Sequence, residues 1–330
     1  MMKRKLYIGI LFMVLIFVLA GCKKGEKNQD LEKVTFVLDW TPNTNHTGLY
    51  VAQEKGYFEE VGLEVEIVQP PEDGAEVLVA SGKAQFGVSF QDSLAPAFTG
   101  ENPLPITAVS AIIQHNTSGI VSRKGEGMHM PKGMMGHKYA TWNGPIELAM
   151  LKEVVEKDGG DFSKVELIPN KVTDEVSALK TKSADAIWIF YAWAGIKTEL
   201  EELDIDYFAF ADVDPVFDYY TPVIVANNEF LKKKPEVAKA FLAALTKGYE
   251  FAMENSEEAA NILCNATDGL DIALVKASQK YLADKYQADA PKWGYIDETR
   301  WNNFYQWLNN KGLVETAIPN NIGFTNEYLP

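Results

Sequence analysis

Three short stretches concentrate the side chains able to recognise a small molecule. The first, Asp39-Trp40-Thr41-Pro42-Asn43-Thr44-Asn45-His46-Thr47-Gly48, combines a carboxylate, an indole, two amides and an imidazole. The second is Trp188-Ile189-Phe190-Tyr191-Ala192-Trp193, and the third Phe217-Asp218-Tyr219-Tyr220-Thr221-Pro222. Flat rings sandwich a flat ligand, while Asn, Asp and Glu pair with ring nitrogens and exocyclic amines. None of the three contains Lys or Arg, which favours a neutral or cationic ring over an anion. The same aromatics serve equally well as core filling, and for any one of them the sequence leaves both roles open.

Signatures of catalysis are missing. There is no phosphate-cradling Gly-rich loop, no Gly-x-Ser-x-Gly elbow and no His-Glu-x-x-His or Cys-x-x-Cys pattern. No catalytic residue, cofactor or metal is therefore expected. The run from Met128 to His137 offers thioethers and imidazoles, ligands suited to soft metals. Its Met spacing is irregular, so these read as loop and core methionines. Cys264 lies in an apolar helical stretch and is expected to be a small buried hydrophobe.

The elements that must position the clusters alternate strand and helix. Val34–Leu38 reads as a strand, Asn45 as the N-cap of a helix to Lys55 closed by Gly56, and Gly62–Val68 as a half-buried strand. Asp73 and Glu76 have capping-box spacing before a helix to Ser81, and Phe86–Val88 is the next strand. This order predicts parallel βαβ units in an α/β fold. The helix–turn–strand pattern of Val77–Val88 recurs in Val176–Ile187, which supports two similar α/β lobes. Strand ends in such sheets are where ligands sit. Beyond Pro235 the chain is helical, with amphipathic segments over Glu236–Glu254, Leu270–Tyr286 and Glu298–Asn310.

The N-terminus carries an address. Lys3-Arg4-Lys5 precedes an apolar run from Leu6 to Ala20, shorter than the ~20 residues a membrane-spanning helix needs. It ends in Leu19-Ala20-Gly21-Cys22, where a lipoprotein signal peptidase would cut so that the Cys22 thiol carries a diacylglycerol. We therefore expect a signal peptide over 1–21, lipidation at Cys22, a polar tether over 22–32, and attachment to the extracytoplasmic face of the cell membrane through the lipid alone. Once Cys22 is modified, only Cys264 remains and no intramolecular disulfide can form. The formal net charge is −15, becoming −18 without Lys3, Arg4 and Lys5, which argues against nucleic acid as a partner.

Four motifs carry a family resemblance. They are Leu38–Ala52 followed by Lys55-Gly56-Tyr57-Phe58, Trp142-Asn143-Gly144-Pro145-Ile146-Glu147-Leu148, Asp185–Trp193, and Asp218-Tyr219-Tyr220-Thr221-Pro222. Together they resemble ABC-importer lipoproteins that bind thiamine pyrimidine precursors, in a superfamily that also contains thiamine-pyrimidine synthases. The resemblance implies a type II periplasmic-binding fold with two chain crossovers. One lobe would combine 33–122 with 225–330 and the other would span 123–224. It implies a monomer that captures a hydroxymethyl- or formylaminomethyl-pyrimidine between its lobes and delivers it to an ABC permease and its ATPase. By motif, Trp40, Trp188 and Tyr191 would stack on the ring. Glu147 would accept from it, and Asn43 and His46 would read its remaining edge, with Asp92 and Asp218 as further candidates. Receptors for flavins, sulfonates or nitrate-type anions are the alternative within the class. A synthase, which consumes a histidine and pyridoxal phosphate and needs iron, is the alternative outside it. Its cysteine-rich stretch is absent here, and Asn143 stands where a glycine or other small residue is expected.

Overall fold

A computed structural model describes residues 31–170 and 172–330. The expected signal peptide, Cys22 and all but the end of the expected tether lie outside them. The body, Glu32–Pro330, contains two five-stranded sheets.

The first sheet has the order β2-β1-β3-β10-β4, with β1 (Glu32–Val37), β2 (Leu63–Val68), β3 (Phe86–Ser89), β4 (Ile106–Ala111) and β10 (Val223–Asn227). β1 pairs parallel with β2 and β3, as the strand–helix alternation predicts, whereas β10 runs antiparallel between β3 and β4. At the edge, β2 buries Leu63 and Val65 and exposes Glu64 and Glu66, while every residue of β3 and β10 is buried. The second sheet, β7-β6-β8-β5-β9, has the same plan. It comprises β5 (Ser118–Arg123), β6 (Lys138–Thr141), β7 (Glu166–Pro169), β8 (Ala186–Phe190) and β9 (Ile205–Ala209).

The two recurring sequence segments occupy equivalent places. Helix Ala75–Ala80 leads into β3 and helix Glu175–Thr181 into β8, the central strands of their sheets. The expected Asp73–Glu76 capping box does not form. Gly74 is the N-cap, and Glu76 instead accepts from Ser89 Oγ at 2.6 Å.

The expected crossing points, Ser122/Arg123 and Ile224/Val225, fall inside β5 and β10. The chain leaves the first sheet after Ala111, enters the second at Ser118, and returns to the first at Val223. The two passages are laced together. The Asp218 carboxylate accepts from Asn116 N at 2.9 Å and pairs with His115 Nδ1 at 2.7 Å, while Asn116 Nδ2 donates to Phe217 O at 2.8 Å.

The C-terminal helices complete the first lobe. Helix Pro235–Glu254 lays Phe241 against Phe36, Phe58 and Phe86, with the Phe86 ring centroid 4.1 Å away. It crosses helix Thr47–Glu54 so closely that a Cβ on Gly248 would lie 2.0 Å from Gly48 O. Met128 and Met134 are buried, as core methionines should be, whereas Cys264 is half-buried and packs at the margin of the core. No helix among the described residues is long and apolar enough to cross a membrane.

Candidate functional site

A cleft of ≈ 320 Å³ opens between the lobes, at the small end of the range for small-molecule sites. The first lobe lines it with Asp39, Trp40, Asn43, Thr44, Asn45 and Phe90. The second contributes Glu175, Phe190, Ala192, Trp193 and Ala194, and the passages add Ile113, Thr117, Thr221 and Pro222. Most of these residues lie at or beyond the C-terminal ends of β1, β3, β4, β7 and β8, where the fold leaves backbone and side chains pointing into a crevice. All three clusters picked out in the sequence reach the cleft. No Lys or Arg stands among its described lining residues.

The loop after β1 is rigidly built. Helix Thr47–Glu54 has His46, not the expected Asn45, at its N-cap, and the 3-10 turn Thr44–His46 before it is capped by Asn43. Asn43 Oδ1 accepts from Asn45 N at 2.8 Å, and His46 Nδ1 accepts from Asn43 N at 3.2 Å. With Nδ1 accepting, Nε2 carries the proton of the neutral ring and donates to Asp39 Oδ1 at 2.7 Å. His46 is 1% exposed and stands behind Asp39, whose carboxylate lines the cleft. Tyr249 Oη donates to Asn45 O at 2.6 Å and Tyr286 Oη to Thr44 O at 2.7 Å, which fixes the loop backbone from below. Trp40, 53% exposed, forms one rim.

From the other lobe, Phe190 meets Phe90 across the cleft. The rings are nearly parallel, 19° apart, with centroids 6.2 Å from each other. Ala192 is packed into the first lobe's hydrophobic core, with Trp193 against it. The Ala192 carbonyl accepts from Ser278 Oγ, which in turn is 2.6 Å from Thr44 Oγ1. A continuous hydrogen-bonded path thus joins the first lobe's cleft-lining loop to the second lobe.

Trp40 and Asn43 are the two motif-derived candidates that line the cleft. The other six stand elsewhere. Glu147 is 2% exposed and accepts from Tyr139 Oη (2.8 Å), Thr141 Oγ1 (3.0 Å), Trp142 N (3.3 Å) and Gly144 N (2.9 Å), closing the N-terminus of helix Pro145–Lys157. Burial and the neighbouring Glu147 hold the Tyr139 hydroxyl well above the ordinary phenol range. Trp188 packs on Phe210 and edge-on to Trp142, with centroids 4.2 and 5.3 Å away. Tyr191 donates to Glu199 and lies against Tyr207 and Tyr281. Asp218 laces the two passages, and burial pushes the half-buried Asp92 carboxyl up to about 6. Asn143 has φ 60°, a left-handed conformation that explains the expectation of glycine there and that Asn tolerates better than most residues.

Sequence reasoning passed over Asp39, Phe90, Phe190 and Glu175 as site residues. Asp39 and Phe190 lie inside the quoted clusters, and Phe90 lies at the end of a strand that the internal recurrence marks. Glu175 had no local signal, because its neighbours carry neither aromatic rings nor amides.

Comparison with known proteins is consistent with this geometry. A formylaminopyrimidine-binding protein of Halalkalibacterium halodurans is 31% identical over 321 residues, covering 94% of this chain and 95% of that protein. A 4-amino-5-hydroxymethyl-2-methylpyrimidine phosphate synthase of Saccharomyces cerevisiae is 26% identical over 255 residues, 69% of each chain. The periplasmic aliphatic sulphonate binding protein SsuA of Escherichia coli shares the fold, with a TM-score of 0.67, 13% identity and coverage of 87% of this chain and 90% of that one. A family model described as NMT1/THI5 like matches residues 43–259. With more than half of its length matched, the chain belongs to the NMT1/THI5 like family.

Proposed function

We propose that this protein is the binding component of an ABC importer, capturing a hydroxymethyl- or formylaminomethyl-pyrimidine in the cleft between its lobes. The observation that carries the reading is the lining itself: flat rings from both lobes, amides and an oriented carboxylate, with no cation among the described lining residues. An inserted ring needs two contacts of about 3.5 Å, so Phe90 and Phe190, 6.2 Å apart, would part by about 1 Å to sandwich it. Asp39, held by His46, would accept from an exocyclic amine, while Asn43 and Asn45 match donor and acceptor edges. Trp40 and Trp193 would shut the mouth. The name of the Halalkalibacterium halodurans relative points to the same ligand class.

Calorimetry and native mass spectrometry with both pyrimidines test the ligand. Binding in the micromolar range or tighter is expected, and silence at high micromolar concentration overturns the assignment. Binding of a flavin or sulfonate instead would place the protein in the alternative receptor class. The synthase reading predicts modified His46 after incubation with iron and pyridoxal phosphate, and the burial of that ring, engaged at both nitrogens, weighs against it.

The extracytoplasmic, lipid-anchored location belongs to the same proposal. It is supported by the basic start, the apolar run and Leu19-Ala20-Gly21-Cys22. Mass analysis of the mature N-terminus should find a diacylated Cys22, and Cys22→Ser should release the protein from the membrane fraction.

A further inference from the structure

We infer that Glu175 is the specificity-determining group of the second lobe. Together with Asp39 it selects a ring bearing hydrogen-bond donors and rejects the phosphate monoester of that same ring. This rests on the pyrimidine reading above and narrows it.

Asp174 caps helix Glu175–Thr181, accepting from Ser177 N at 3.1 Å, and also holds Lys197 Nζ at 3.1 Å. Lys197 is shared further with Glu201 at 3.9 Å. Lys197 thus makes its close ion pairs with other carboxylates and reaches Glu175 only through its field, while the Glu175 carboxylate is left with its own backbone N–H and has no ion pair or hydrogen bond to another side chain among the described residues. It is nonetheless half-buried in the wall of the cleft, and desolvation there pushes its carboxyl above the usual range. A carboxylate removed from water is costly unless something donates to it. Glu147 shows what a structural carboxylate in this lobe looks like, with four donors converging on it. Glu175 has the opposite character, a desolvated acceptor at a ligand cavity.

Asp39 and Glu175 enter the same cleft from different lobes, and no described lining residue offsets their charge. Two carboxylates suit a ligand with two donor groups, as a pyrimidine bearing both an amino and a hydroxymethyl or formylaminomethyl group has, and they repel a dianionic phosphate. Selectivity then arises as much from repulsion as from attraction.

The test titrates the full chain with hydroxymethylpyrimidine and with its phosphate monoester, in wild type, Glu175→Gln and Glu175→Asp. Wild type should bind the free pyrimidine at least 100-fold more tightly than the phosphate. Glu175→Gln should lose about tenfold in affinity for the free pyrimidine and gain about tenfold for the phosphate, narrowing the ratio about 100-fold, with an unchanged or higher melting temperature. Glu175→Asp should keep most of the ratio. If wild type binds the free pyrimidine but Glu175→Gln leaves both affinities or the ratio unchanged, the inference is overturned alone. If wild type binds neither compound, the functional reading falls and the inference falls with it.

Discussion

Replacing Glu147 should damage the fold and spare the ligand site. Its carboxylate receives Tyr139 Oη and Trp142 N on Oε1, and Thr141 Oγ1 and Gly144 N on Oε2. In Glu147→Gln, the amide oxygen can keep the Oε2 pair while the new NH2 faces the other two donors. The Tyr139 hydroxyl can rotate to accept, but the Trp142 N–H cannot, and the charge assistance is lost throughout. With hydrogen bonds to a charged group worth about 1.5–3 kcal/mol each, we expect a loss of about 2–3 kcal/mol. For a chain of this size that lowers the melting temperature by roughly 5 °C. Glu147→Ala strands all four donors, including the fully buried Tyr139, and should cost about 4–5 kcal/mol. Urea denaturation followed by circular dichroism measures the first effect. Calorimetry with hydroxymethylpyrimidine on the folded variant measures the second, where a change of less than about threefold in affinity is expected. A Glu147→Gln protein that melts with the wild type but binds more than tenfold more weakly would refute the reasoning and restore Glu147 as a ligand residue.

Three further outcomes follow from named contacts. Asp92 carries a carboxyl raised from 3.8 to about 6 by burial, with Glu76 adding to the shift. The folded state therefore holds the Asp92 proton more tightly than the unfolded chain, and stability falls as pH rises from about 4 to 6. Asp92→Asn should remove that decline and be more stable at pH 7 by about 1–2 kcal/mol, read from melting temperatures across pH. Gly248→Ala drives a Cβ into the Gly48 carbonyl, 2.0 Å away, and should destabilise by about 3 kcal/mol or more in denaturant titrations. Ser278→Ala cuts the Thr44–Ser278–Ala192 path that joins the lobes and should raise the ligand off-rate about tenfold with little change in on-rate, by stopped-flow tryptophan fluorescence.

The helices and strands were largely legible because their signals are local. The C-terminal segment expected over Glu236–Glu254 forms Pro235–Glu254, and that expected over Glu298–Asn310 forms Glu298–Lys311. Caps were less legible. The helix expected to start at Asn45 starts after His46, because Asn43 caps a preceding turn in which His46 reaches back to the Asn43 N–H, and Glu76 left its box for Ser89 on a neighbouring strand. The expected crossings fall inside β5 and β10, whereas the chain changes sheets in the segments before them, because a strand's own residues do not record which sheet it joins.

By itself the sequence determined the class of fold, the three clusters rich in rings and polar side chains and the absence of cations within them. Periodicity, turn chemistry and residue type are properties of neighbours along the chain. Tertiary structure decided which members of each cluster face the ligand space. Trp188 and Phe190 lie on one strand with side chains of similar kind, yet Phe210 covers the first while the second reaches Phe90. Glu147 and Glu175 both sit in the first turn of a helix. Four donors from β6 and the turn that follows it converge on one, and a cleft meets the other. That difference depends on what the rest of the chain brings alongside, which no local pattern records.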